Sequence, residues 1–143
     1  MIKRTFNIPK YNWDVEIYFD YVCDYKDIVL SNLEELDMSD SSFDRACDNL
    51  SACLLDTGLT YSSYIHERSV IVIGRTSSAK EFMKTFDHEI GHLKSNICEY
   101  YDIPQTGEEI QYLGHTIIDE TWDIAKEFLC DCCRSRSHEE EYE

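Results

Sequence analysis

Residues 78–101 read "SAKEFMKTFDHEIGHLKSNICEYY", and a single helix accounts for all of them. Ser78 and Glu81 stand at capping-box spacing, Ser-x-x-Glu, which predicts a helix start there. Phe86, Ile90, Leu93 and Ile97 recur at intervals of three and four, an apolar stripe for one face. His88 and His92 fall on the other side, one turn apart, and Glu89 follows the first of them. The predicted helix runs to about Tyr101, before Pro104 and Gly107 break the chain.

The order His-Glu-x-x-His has a chemical rationale. Two imidazoles one turn apart can bind one Zn2+ through their ring nitrogens. A glutamate after the first histidine sits beside the ion rather than on it. There it can take a proton from the attacking water and pass it to a leaving amine. His88 and His92 are therefore the expected ligands, and Glu89 the expected general base.

Catalytic zinc usually keeps three protein ligands and one open position, so a third is needed. One solution places it six residues after His92, beyond a glycine that turns the chain. Here those positions hold Cys98 and Ser95, so Cys98 reads as core. The other solution is a glutamate on the next helix, and "TGEEIQYLGHTIIDE" (106–120) offers Glu108 and Glu109. Thr106 and Glu109 make a second capping-box pattern, which gives Glu109 a structural task. Glu108, Tyr112 and His115 share one face of a helix predicted over about 108–128, with Ile110, Leu113, Ile117 and Thr121 behind. Glu108 is the expected third ligand and Glu109 the reserve. Tyr112 and His115 are expected to donate hydrogen bonds to a tetrahedral oxyanion or to orient Glu108, unless their face is simply solvated.

Upstream, "WDVEIYF" (13–19) alternates strictly, with Trp13, Val15, Ile17 and Phe19 on one side, and predicts a half-buried strand. Helices are predicted over 26–37 and from about Phe43 to Leu55, with Gly58 closing the second. "LTYSSYIHERSVIVIG" (59–74) reads as two strands joined by a turn near His66 and Glu67, the β-branched second strand well buried. The order β α α β β α α predicts an α+β fold. A small sheet of about three strands would pack against the motif helix and the glutamate-bearing helix that follows. One domain is expected over 1–128, with a loose, charged tail over 129–143. Cys130, Cys132 and Cys133, with His138, could bind a soft metal, but Cys-x-Cys-Cys is not a standard zinc spacing, so these cysteines read as reduced thiols of a flexible tail.

The chain has 143 residues and a formal net charge of −16, which disfavours nucleic acid and anionic membranes as partners. No stretch approaches 18 apolar residues and no apolar h-region follows the basic N-terminus, so neither a membrane span nor a signal peptide is expected. Seven cysteines without a secretion signal read as reduced thiols, and the expected compartment is the cytoplasm. Cys23, Cys47 and Cys53 read as small core residues. His66 reads as a surface residue.

With "HEIGH", the preceding "SVIVIG" and the following "GEEIQYLG", residues 59–118 resemble a minimal zincin metallopeptidase of the gluzincin type. Small phage- or prophage-type proteins with a lone HExxH domain are similar. The resemblance implies His88, His92 and a glutamate of the next helix as zinc ligands, and Glu89 as general base. It also implies an edge strand within Ser69–Ile73 that lines the cleft and pairs with substrate backbone. Tyr112 stands where larger gluzincins carry an aspartate. The expected function is zinc-dependent hydrolysis of a peptide or protein substrate. The alternative is a catalytically silent zincin-fold binding module that docks its acidic surface on a protein partner.

Overall fold

The computed structural model describes residues 1–132. Four strands form one sheet: β1 (Ile2–Ile8), β2 (Trp13–Tyr21), β3 (Gly58–Ser63) and β4 (Arg68–Gly74), in the order β1-β2-β4-β3. The central pair β2–β4 is parallel, and both outer pairs are antiparallel. Four α-helices, α1 (Lys26–Glu34), α2 (Asp40–Ser51), α3 (Ala79–Tyr100) and α4 (Glu108–Ala125), cover the sheet. The class is α+β, as the element order predicts.

The strict alternation of β2 divides the core. Trp13, Val15, Ile17 and Phe19 pack with Phe82, Ile90, Leu93 and Ile97 of α3 and Leu113 and Ile117 of α4. Tyr18 and Tyr21 pack on the opposite face with Val29 and Leu33 of α1 and Ala46 and Leu50 of α2. β2 is therefore covered on both faces, not half-buried. Even Glu16 on its second face is 8 % exposed. That carboxylate is neutralised where it lies: Lys3 stands 3.2 Å away, Arg68 pairs with it, and Asn32 donates to it at 2.5 Å. A buried carboxylate without such partners would be strongly disfavoured.

The sheet gains a strand beyond the three expected. β1 alternates as Ile2, Arg4, Phe6 and Ile8, and the arginine in the apolar register hides the pattern. Arg4 is accommodated because it donates to the carbonyl of Glu120 at 3.0 Å and to Asp123 at 2.6 Å. Asp123 is held below the ordinary carboxylate range chiefly by that hydrogen bond.

Three local expectations give way. Helix α2 stops at Ser51 rather than near Leu55, because Cys53 adopts a left-handed conformation (φ 55°). Gly58 does not close that helix but opens β3. Thr106 makes no cap for α4: Gly107, at φ 106°, takes the N-cap position without a side-chain bond. Ser78 does cap α3, accepting from the backbone N–H of Glu81 at 3.2 Å.

Cys23 and Cys53 form a disulfide, which corrects their reading as reduced core thiols. Pairing across 30 residues is set by tertiary packing and has no local signature. Cys98 is fully buried, as expected of a core residue, and burial pushes its thiol up. The bridge joins the end of β2 to the segment that leads into β3. By loop-closure entropy, Cys53→Ser is expected to destabilise the fold by about 3 kcal/mol, read as a lower chemical-denaturation midpoint. Alkylation of the unfolded, unreduced wild type should leave Cys23 and Cys53 unmodified.

The chain after α4 is not loose at its start. Phe128 is 1 % exposed, and Asp131 accepts from the backbone N–H of Ala79 at 2.8 Å, at the first turn of α3. Cys133 and His138, considered above as metal donors, lie outside the described residues.

Candidate metal centre

Helix α3 presents its two histidines as the spacing predicts. His88 and His92 are exposed on the side opposite Phe86, Ile90, Leu93 and Ile97. Their Nε2 atoms stand 3.1 Å apart, with the rings edge to face at 90°. Two nitrogens bound to one zinc at about 2.0–2.1 Å stand roughly 3–3.5 Å apart, so the spacing suits a shared ion and equally a hydrogen bond from one ring to the other.

Glu89 lies about 60° around the helix from His92, on the side of β3. It is 6 % exposed and lies between α3 and β3. The hydroxyl of Thr60 donates to its Oε1 at 2.7 Å, with the carbonyl oxygen of Glu89 a further acceptor at 3.3 Å. Gly58 lies directly over the carboxylate: a Cβ there would sit 2.7 Å from Oε2. Two residues beyond Thr60, Ser62 accepts from Asn96 of α3 at 2.8 Å. Ser62 also contacts Ser69 of β4 at 2.7 Å, which accepts from the Trp13 indole at 2.9 Å. A chain of hydrogen bonds thus runs from β2 through β4 and β3 into α3. It fixes the height of the motif helix over the sheet and satisfies the buried hydroxyls.

The strand beside α3 is β3, whose outer edge is free within the sheet. The stretch Ser69–Ile73, expected at the edge, is the interior strand β4, paired on both sides. Its continuous β-branched run fits that doubly covered position.

The second helix is not where a third ligand requires it. A groove of about 200 Å3 runs between α3 and α4, lined by Met83, Asp87, Ile90 and Lys94 on one side and Gly114 and Ile118 on the other. Those α3 residues lie roughly 100–180° around the axis from His88 and His92. Glu108 is exposed at the first turn of α4. Glu109 accepts from Tyr11 at 2.6 Å and pairs with Lys10 at 2.8 Å, at the turn between β1 and β2. The bond to Lys10, then that to Tyr11, holds its carboxyl below the ordinary range. Tyr112 and His115 are exposed on α4 and meet each other, ring centroids 6.1 Å apart. Among the described residues no third His, Cys, Asp or Glu joins His88 and His92 in a metal-binding group.

The structure therefore brings together His88 with His92, and Glu89 with β3. It does not bring Glu108, Glu109, Tyr112 or His115 to them. The residues that sequence reasoning missed are Thr60 and Gly58. Their only signal is a small and a hydroxylated residue alternating in the strand before "SVIVIG". Among the described residues no helix is long and apolar enough to cross a membrane. No protein-family model, curated protein or solved structure matches the chain.

Proposed function

We propose that this chain is a small zinc-dependent peptidase of zincin type, acting on a peptide or protein substrate. The observation that carries the reading is the 3.1 Å approach of the His88 and His92 Nε2 atoms on an exposed helix face. His88 and His92 would hold the ion, which when bound supplies Lewis acidity toward a carbonyl and lowers the pKa of water. Glu89, adjacent in sequence to His88, would accept the proton of the attacking water and deliver it to the leaving amine. The free edge of β3 takes the place expected for Ser69–Ile73 and offers backbone groups to an extended peptide. Glu108 remains the candidate third ligand only through a movement of the first turn of α4.

Elemental analysis of the purified chain after exposure to zinc tests the reading. About one zinc per chain is expected, lost in His88→Ala/His92→Ala. Retention of zinc in Glu108→Ala would remove Glu108 from the ligand set. A wild-type chain that takes up no zinc would overturn the proposal.

A second reading draws on the lack of a third donor beside the histidine pair among the described residues. Here the fold is a binding module, and its net charge of −16 selects a basic protein partner. It predicts no turnover, and partner binding that persists in Glu89→Gln.

A further inference from the structure

We propose that Thr60 and Gly58 are positioning residues that lock the Glu89 carboxylate in one orientation, an inference that rests on the reading of Glu89 as general base. The two carboxylate oxygens are treated differently. Oε1 accepts from the Thr60 hydroxyl at 2.7 Å. Oε2 lies beneath the Cα of Gly58, where a Cβ would come within 2.7 Å of Oε2, 2.8 Å of Cγ and 2.9 Å of Cδ. Real Cβ atoms do not approach that closely, so any larger residue at 58 must displace the side chain of Glu89 or the strand.

The glycine is there for space. The only glycine with positive φ among the described residues is Gly107, so Gly58 has a backbone conformation open to any residue. What it provides is the close pass of β3 over the carboxylate. The strand cannot slide to relieve that contact, because Ser62 is tied to Asn96 and to Ser69. Nor can the carboxylate rotate freely, because turning Oε1 away from Thr60 leaves a buried oxygen without its donor. One oxygen is thus anchored, and its partner is held at a fixed angle to the helix. A general base works through a lone pair held in the direction of the proton it removes, and loses rate when that direction is lost.

The test compares full-length wild type with Thr60→Val, Thr60→Ser and Gly58→Ala. Valine keeps the shape and β-propensity of threonine and removes only the hydroxyl, so Thr60→Val is the deciding variant whether or not Gly58→Ala folds. Two readouts are taken. The first is hydrolysis of a quenched-fluorescence peptide mixture by the zinc-loaded protein. The second is the side-chain carboxyl 13C resonance of Glu89, assigned by its absence in Glu89→Gln. Thr60→Val is expected to bind zinc as wild type does, to lose about tenfold or more in kcat with KM within about twofold, and to shift the Glu89 resonance. Thr60→Ser should restore both readouts. Gly58→Ala, when folded, should lose more activity than Thr60→Val. An unmoved Glu89 resonance or undiminished kcat in Thr60→Val would overturn the proposal. A wild type that cuts no peptide overturns the hydrolytic reading instead. The resonance then still decides the positioning claim by its displacement in Thr60→Val and its return in Thr60→Ser.

Discussion

On the proposed reading, Glu89→Gln is expected to keep its fold and its zinc while hydrolysis falls by about a thousandfold, within the range for loss of a general base. The structure makes this a clean substitution. Glutamine has the length and shape of glutamate, so it fits beneath Gly58 without a new contact. Its side-chain oxygen still accepts from Thr60. What is lost is the ability to take up a proton. Thermal denaturation and zinc content, measured beside peptide hydrolysis, separate loss of chemistry from loss of structure. Activity that persists in Glu89→Gln, free of contaminating protease, would exclude Glu89 from the chemistry.

The second large effect is on stability. Phe82→Ala is expected to destabilise the fold by about 4 kcal/mol. Phe82 is 1 % exposed and stacks with three other rings: Phe19 of β2 at 6.4 Å, Phe86 at 5.4 Å and Phe128 at 4.9 Å. Removing the middle of this stack leaves a cavity that none of the three can fill without shifting its backbone. The loss would be felt at the first turns of α3 and, through Phe128, by the segment whose Asp131 bonds to Ala79. Total stabilities of domains this size are about 5–15 kcal/mol, so the variant should show a sharply lower urea midpoint. An unchanged midpoint would mean that the stack is not the centre of this layer.

Much of this framework is legible one element at a time. β2 announces itself by alternation, β4 by its β-branched run and α3 by the Ser78 cap and the Phe86–Ile97 stripe, because each pattern reflects a local period matched to a buried face. β1 is not legible, since Arg4 occupies a core-facing register and is reconciled only by Glu120 and Asp123, more than a hundred residues away. The histidine pair is legible because its spacing is internal to one helix. The placement of α4 relative to that pair is not. An apolar stripe behind and a polar stripe in front describe α3 and α4 correctly, yet do not imply that the two fronts meet. Both helices lie side by side on the same face of the sheet, so both polar faces turn toward solvent. The Thr106 capping box likewise fails to form, because Gly107 supplies the turn and Glu109 is drawn to Lys10 and Tyr11.

The parallel pairing of β2 with β4 bears on how the chain reaches this state. Asp14 and Arg68 are register partners across the centre of the sheet, yet lie roughly 50 residues apart. Two helices and an edge strand intervene, so the central pair is a non-local contact that forms only after a large loop has closed. The Cys23–Cys53 bridge lies inside that loop. Once oxidised, it cuts the path between the two strands to roughly half its length, which saves somewhat under 1 kcal/mol of closure entropy. The bridge therefore also acts on the order of assembly. A chain that enters folding already bridged should pair its two central strands severalfold faster than a reduced one.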